Sequence, residues 1–213
     1  AIPSTNATCL SLLTTQPIAP YRNEGELMRV ENQEKPFHPI YNYAVITDSV
    51  EGLILTDVNT LSDLEPRNNF LERAVTWNED GVLNGARYLT VGGHYAYITA
   101  DAGLVVVDLD DPLKPVHVAT VPLNDARGVH LQFRYLFVTD ADGLKVINVT
   151  DQENPVLVEN NVIPMTNAQN IAMARTYAYV AAGSEGLVIV DVTDPENMFE
   201  FTRVTDGLVD SRD

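Results

Sequence analysis

One pattern recurs four times along the 213 residues, and it limits the fold more than any other feature. It reads YAVITDSVEGLILTDV from Tyr43, YAYITADAGLVVVDLDDP from Tyr95, YLFVTDADGLKVINVTDQENP from Tyr135 and YAYVAAGSEGLVIVDVTDPEN from Tyr177. Successive tyrosines are 52, 40 and 42 residues apart, and Gly52, Gly103, Gly143 and Gly186 keep nearly the same interval. Each copy opens with a short β-branched and aromatic run, turns at a glycine, and continues through a second apolar run. Runs such as LVVVDL and LVIVDV lack helical spacing, which excludes a helical solenoid. In the second copy Asp110-Asp111-Pro112 then breaks the chain before a third strand at 116–121, and a further strand precedes the tyrosine. Four short antiparallel strands per unit of about 42 residues match a blade of an all-β propeller.

The repeats place four-stranded antiparallel blades at about 35–77, 86–122, 127–163 and 170–204. Residues 1–34 read as an N-terminal arm or partial blade, and an incomplete blade starts at 209. Lys35 stands eight residues before Tyr43, as Arg87 and Arg127 stand before Tyr95 and Tyr135. On that spacing KPFHPI is a degenerate innermost strand. Asn170 opens the fourth blade, and Arg212, 42 residues later, opens a fifth. The array therefore needs remaining blades or another subunit to complete its ring. Leu89, Ile98, Val105, Val107, Val138, Val146, Val180 and Ile189 are expected to be buried.

The stretch EGLVIVDVTDPENM at 185–198 resembles the LVIVD repeat, a bacterial and archaeal surface-protein repeat. The likeness is strongest in the fourth unit and weakest in the first, where the motif is GLILTDV. It implies a β-propeller that is exported or cell-surface, hence extracellular or periplasmic, and it brings no catalytic residues with it.

Composition narrows the partners. Lys plus Arg number 13 against 30 Asp plus Glu, a net charge of −17, which repels nucleic acid and anionic membrane surfaces. The 45 % hydrophobic fraction is that of a globular chain. The single cysteine, Cys9, allows no internal disulfide, and no CxxC pair exists to hold zinc or attach haem. No apolar run reaches the roughly 18 residues of a spanning helix, so no membrane insertion is expected. No signal peptide is visible in AIPSTNATCL.

Strand parity sorts the loops. Turns between the second and third strands share one face with the links from one blade to the next. That face gathers Lys35, Arg87, Arg127 and Arg212 near the channel, with Asp48, Glu51, Asp101, Asp140, Asp142 and Glu185 further out. The arginines either ring an anion-accepting mouth or pair with neighbouring aspartates to fix the ring. Asp140-Ala141-Asp142-Gly143 opens like a calcium loop, so calcium is the one cofactor the sequence allows. No glutamate closes that loop at the twelfth position, where Asp151 stands, and turn chemistry is the better account of it. Asp108–Pro112 and Asp191–Pro195 read as Asp-capped turns. His38, His94, His117 and His130 have no metal-ligand spacing, which argues against zinc or iron. Neither a G-x-S-x-G elbow nor a phosphate-binding loop occurs. Trp77 and the longer link at 59–67 are the irregular features and suggest a partner-binding surface.

Together these features describe a non-enzymatic propeller scaffold for protein–protein or ligand interaction. Two alternatives remain: a calcium-assisted propeller hydrolase or lyase, and an accessory domain of a surface redox (multihaem cytochrome) assembly, whose basic partners the acidity would attract.

Overall fold

In the computed structural model, residues 2–13, 38–61, 66–208 and 210–212 are described. They form four antiparallel sheets and almost no helix. Blade I contains β1 (Ala7–Leu12), β2 (Tyr43–Asp48), β3 (Gly52–Asp57) and β4 (Glu72–Trp77). Blade II contains β5 (Leu89–Gly92), β6 (Tyr95–Ala100), β7 (Gly103–Asp108) and β8 (Val116–Val121). Blade III contains β9 (Val129–Gln132), β10 (Tyr135–Asp140) and β11 (Gly143–Asn148). Its outer strand is broken into β12 (Val156–Leu157) and β13 (Ile163–Pro164), which pair with opposite ends of β11. Blade IV contains β14 (Ile171–Ala174), β15 (Tyr177–Ala181), β16 (Leu187–Asp191) and β17 (Phe199–Val204). The innermost strands β1, β5, β9 and β14 lie side by side in succession, the arrangement of propeller blades around an axis.

Local chemistry explains the recurring shape. Gly103 and Gly143 turn each hairpin at φ 118° and 136°, and a Cβ there would meet the carbonyls of Val121 and Ile163 at 2.3 and 2.1 Å. Glycine is required both for the dihedral and for the close approach of the outer strand. The outer strands of blades I, II and IV bulge at one equivalent place, opposite Leu55/Thr56, Val106/Val107 and Ile189/Val190, which bends each outer strand and increases its twist.

The apolar core lies between the blades. Leu53, Leu55, Ile98 and Val107 seal blade I to blade II. Tyr97, Leu104, Val106, Leu136 and Val138 seal II to III, and Phe137, Val146, Val180 and Val190 seal III to IV. Of the eight positions expected to be buried, seven are, at 6 % exposure or less. Ile189 is only half-buried because its side of blade IV faces away from blade III.

Three readings change. The innermost strand of blade I is Ala7–Leu12, not KPFHPI, so the blade takes in part of the arm. Residues 35–37 lie outside the described residues, and Pro39 opens a 3₁₀ turn (Pro39–Asn42) in place of a ladder. Gln169 rather than Asn170 occupies the arginine position of blade IV. Its N–H donates to the Ala181 carbonyl at 2.7 Å, as Arg87 and Arg127 donate to Thr99 and Thr139 at 2.8 Å. Ser211, not Arg212, is the residue that bonds back to blade IV. Its N–H reaches the Gly183 carbonyl at 3.0 Å, as Gly85 reaches Ser49 at 2.8 Å.

Candidate functional site

The face gathering the interblade links and hairpin turns carries the repeated charges, and its arginines reach across seams. Arg87 Nη1 donates to the Ala126 carbonyl of the next blade at 2.8 Å. Its Nη2 lies 3.2 Å from Asp101 and 3.0 Å from Asp125. Arg127 repeats the reach, with Nη1 donating to the Ala168 carbonyl at 2.7 Å and to Asn167 at 3.3 Å. Its Nε and Nη2 hold Asp125 Oδ2 at 3.0 and 2.7 Å. Arg212 stands apart, exposed and paired with Asp210 at 2.7 Å. Lys35 lies outside the described residues. The structure therefore brings Arg87 and Arg127 together around Asp125 and leaves Arg212 elsewhere.

Beneath the arginines runs a second set of seam bonds with no charge to advertise it. Thr47, Thr99 and Thr139 are fully buried. Each hydroxyl donates to a carbonyl of the following blade: Arg87 at 3.4 Å, Arg127, and Gln169 at 2.8 Å. The signal was present in the repeat, because each threonine stands four residues after its tyrosine, and Ala181 replaces it in blade IV.

The acidic turn residues are also engaged. Asp48 is fully buried; burial pushes its carboxyl up, but N–H bonds from Glu51 and Val50 and the Ser4 hydroxyl outweigh this and leave it below the usual range. Asp140 is fully buried too, and its Oδ1 accepts from Asp142 and Gly143 N–H. Lys145 Nζ lies 2.6 Å from both Asp140 and Asp142. An ammonium thus stands against the two carboxylates of the calcium-like turn. Burial alone would lower the Lys145 pKa, but its bonds to Asp140 and Asp142 raise it, while Lys145 draws Asp142 down. Cations on the outer strands hold the remaining turns, Arg73 on Glu51 and Arg203 on Glu185.

On the opposite face, Asp108, Asn148 and Asp191 accept N–H bonds two residues on, at 2.8 to 2.9 Å, the local turns expected of Asp before a chain break. His117 pairs with Thr120, and His130 lies on the innermost strand, where burial holds its imidazole below the ordinary histidine range. His38 and His94, by contrast, meet across the seam between blades I and II, beside Asp110. Their sequence spacing, 56 residues apart in different blades, gave no sign of it. Trp77 packs half-buried against that seam's core instead of standing free, while Leu61 and Phe70 beside the long link are exposed at 54 and 53 %. Residues 62–65 of that link lie outside the described residues. Cys9 is packed against the same core. Among the described residues, no helix is long and apolar enough to cross a membrane.

The LVIVD repeat model matches the chain three times, at 85–121, 124–161 and 166–206, together more than half its length. Among solved structures, a protein described as a candidate 6-phosphogluconolactonase from Bacteroides uniformis superposes with a TM-score of 0.64 at 16 % identity. That match covers 80 % of this chain and 53 % of the other. A functionally unknown protein from Desulfotomaculum acetoxidans gives 0.61 at 14 % identity, over 79 % and 54 %. The chain thus spans about half the length of these structures, and at such identities the likeness is one of fold. Among curated proteins nothing matches.

Proposed function

Because the chain belongs to the LVIVD-repeat family, we propose that it is a non-enzymatic scaffold for protein–protein or ligand interaction, exported or carried at the cell surface. The observation behind this reading is the engagement of the repeated polar residues. Arg87, Arg127 and the buried threonines hold blade to blade, and Asp140 and Asp142 are neutralised by Lys145. Such engagement supports a structural role for the arginines and the calcium-like turn over an anion-binding mouth or a calcium site. The surface location follows the character of the repeat, and the acidic charge disfavours nucleic acid while attracting basic partners.

The scaffold has an open face on blade IV. On blade IV, Ile171, Tyr179, Leu187 and Leu208 line an open groove of about 320 Å³. The matching side of blade II, with Tyr97, Leu104 and Val106, is sealed by blade III. The occupant we assign to this face is a blade of the same repeat, from the same polypeptide or another subunit, because every internal seam uses that pairing. Calcium calorimetry combined with an ester and lactone hydrolysis assay tests the function. The scaffold reading expects no heat at millimolar calcium and no turnover. Calcium-dependent hydrolysis lost in Asp142→Asn would overturn it in favour of a hydrolase.

A further inference from the structure

The face opposite the arginines carries a cluster that the scaffold role leaves unused. His38 precedes the 3₁₀ turn of blade I, His94 sits in the tight turn between β5 and β6, and Asp110 lies in the loop after β7. One ligand atom from each falls within 4.8 Å of the others. His38 Nε2 and Asp110 Oδ1 are 3.2 Å apart, and the two imidazoles are near-parallel, 22° between planes and 5.7 Å between centroids. Asp108 adds a carboxylate oxygen 3.8 Å from His94 Nε2. Among the described residues, the His94 imidazole makes no hydrogen bond of ordinary length.

We propose that His38, His94 and Asp110 form a binding site for a borderline divalent metal ion, of the class of zinc, nickel and cobalt, that staples blade I to blade II. Two imidazoles with one carboxylate is a donor set suited to these ions and poor for calcium or magnesium, which take oxygen ligands. Ligands about 2.0–2.2 Å from a tetrahedral zinc ion stand about 3.3–3.6 Å apart, and His38 Nε2 and Asp110 Oδ1 are already at 3.2 Å. Closing the third ligand in requires side-chain rotation at the half-exposed His94, and water fills the remaining positions. The surroundings are anionic. Asp57 and Asp111 lie near Tyr43, and Asp108 lies near Tyr95.

The metal-free state has its own use for His38. Its Nδ1 accepts the Ile40 N–H at 3.2 Å, so Nε2 carries the ring proton and donates to Asp110. Metal uptake at Nε2 transfers that proton to Nδ1 and breaks the Ile40 contact. Binding is therefore coupled to the Pro39–Asn42 turn and is weaker than at a site with no such exchange.

Calorimetry with zinc alone, and visible absorption with cobalt alone, test the assignment on the whole chain. One equivalent should bind, with millimolar calcium unable to compete. His94→Ala and His38→Gln should each weaken binding by at least about tenfold. Asp110→Asn, at a side chain 74 % exposed and so harmless to the fold, should weaken it severalfold. His117→Ala should leave it unchanged. Zinc should raise the melting temperature of the parent chain and not that of His94→Ala. Equal affinity in parent and His94→Ala, or displacement of zinc by calcium, would assign the binding to surface carboxylates and overturn the site.

Discussion

The seam between blades II and III and the outward face of blade IV are made of equivalent residues in different circumstances. Tyr97, Leu104 and Val106 have Tyr179, Leu187 and Ile189 as counterparts. The first three are at most 1 % exposed, and the second three are half-buried. Polar residues diverge in step. Thr99 and Arg87 reach into blade III, whereas blade IV carries Ala181 and Gln169 at those places. A repeated residue is thus structural only where a neighbouring blade receives it. The repeat code specifies pairs of blades rather than single ones, in keeping with arrays whose stability is largely interfacial.

Breaking the sealed seams should cost far more than altering the open face, and the largest effect belongs to blade III. Lys145→Met strands the fully buried Asp140 carboxylate, and we expect about 3–5 kcal/mol of lost stability in urea unfolding. Next is the apolar comparison. Leu104→Ala should cost about 2–5 kcal/mol, while Leu187→Ala at the equivalent position should cost less than half as much. Equal costs would show that the face of blade IV is covered in solution, which sedimentation at rising concentration would confirm as self-association.

The smallest effect is one of pH. His130 is held below its ordinary pKa by burial, so the unfolded chain takes up its proton first. Both states are neutral at this residue above the ordinary histidine range of about 6.5. As pH falls through that value the unfolded state binds more proton and stability declines. His130→Gln should flatten this part of the stability curve without moving the rest.

Much of this comparison was legible in the sequence, and what escaped has physical reasons. Period, hairpins, blade order and the sealed positions follow from tyrosine, glycine and β-branched spacing, because every blade meets the same local rules. The start of blade I did not, since β1 joins β2 through residues more than thirty apart, and no period reports such a partner. Asn170 reads as opening the fourth blade by its place after the interblade loop, but the eight-residue spacing to the tyrosine that Arg87 and Arg127 keep falls on Gln169, and backbone pairing assigns it that role. The arginines and acidic turns were visible as a set; their partners were not, because Lys145 replaces an apolar residue of the motif in one copy only and Asp125 lies outside the motif. His38 and His94 show the limit most clearly, for ligand spacing in sequence says nothing about residues that adjacent blades bring together.

The central claim is that the repeated arginines serve the seams, and urea unfolding of Arg127→Met tests it by sign. This substitution removes the bonds to Ala168, Asn167 and Asp125 while keeping much of the side chain's length. A seam residue should cost about 1–3 kcal/mol, seen as a lower midpoint at unchanged slope. Residues kept for binding are commonly neutral or stabilising when removed. An unchanged or raised midpoint would contradict the account and return Arg127 to a ligand-binding mouth.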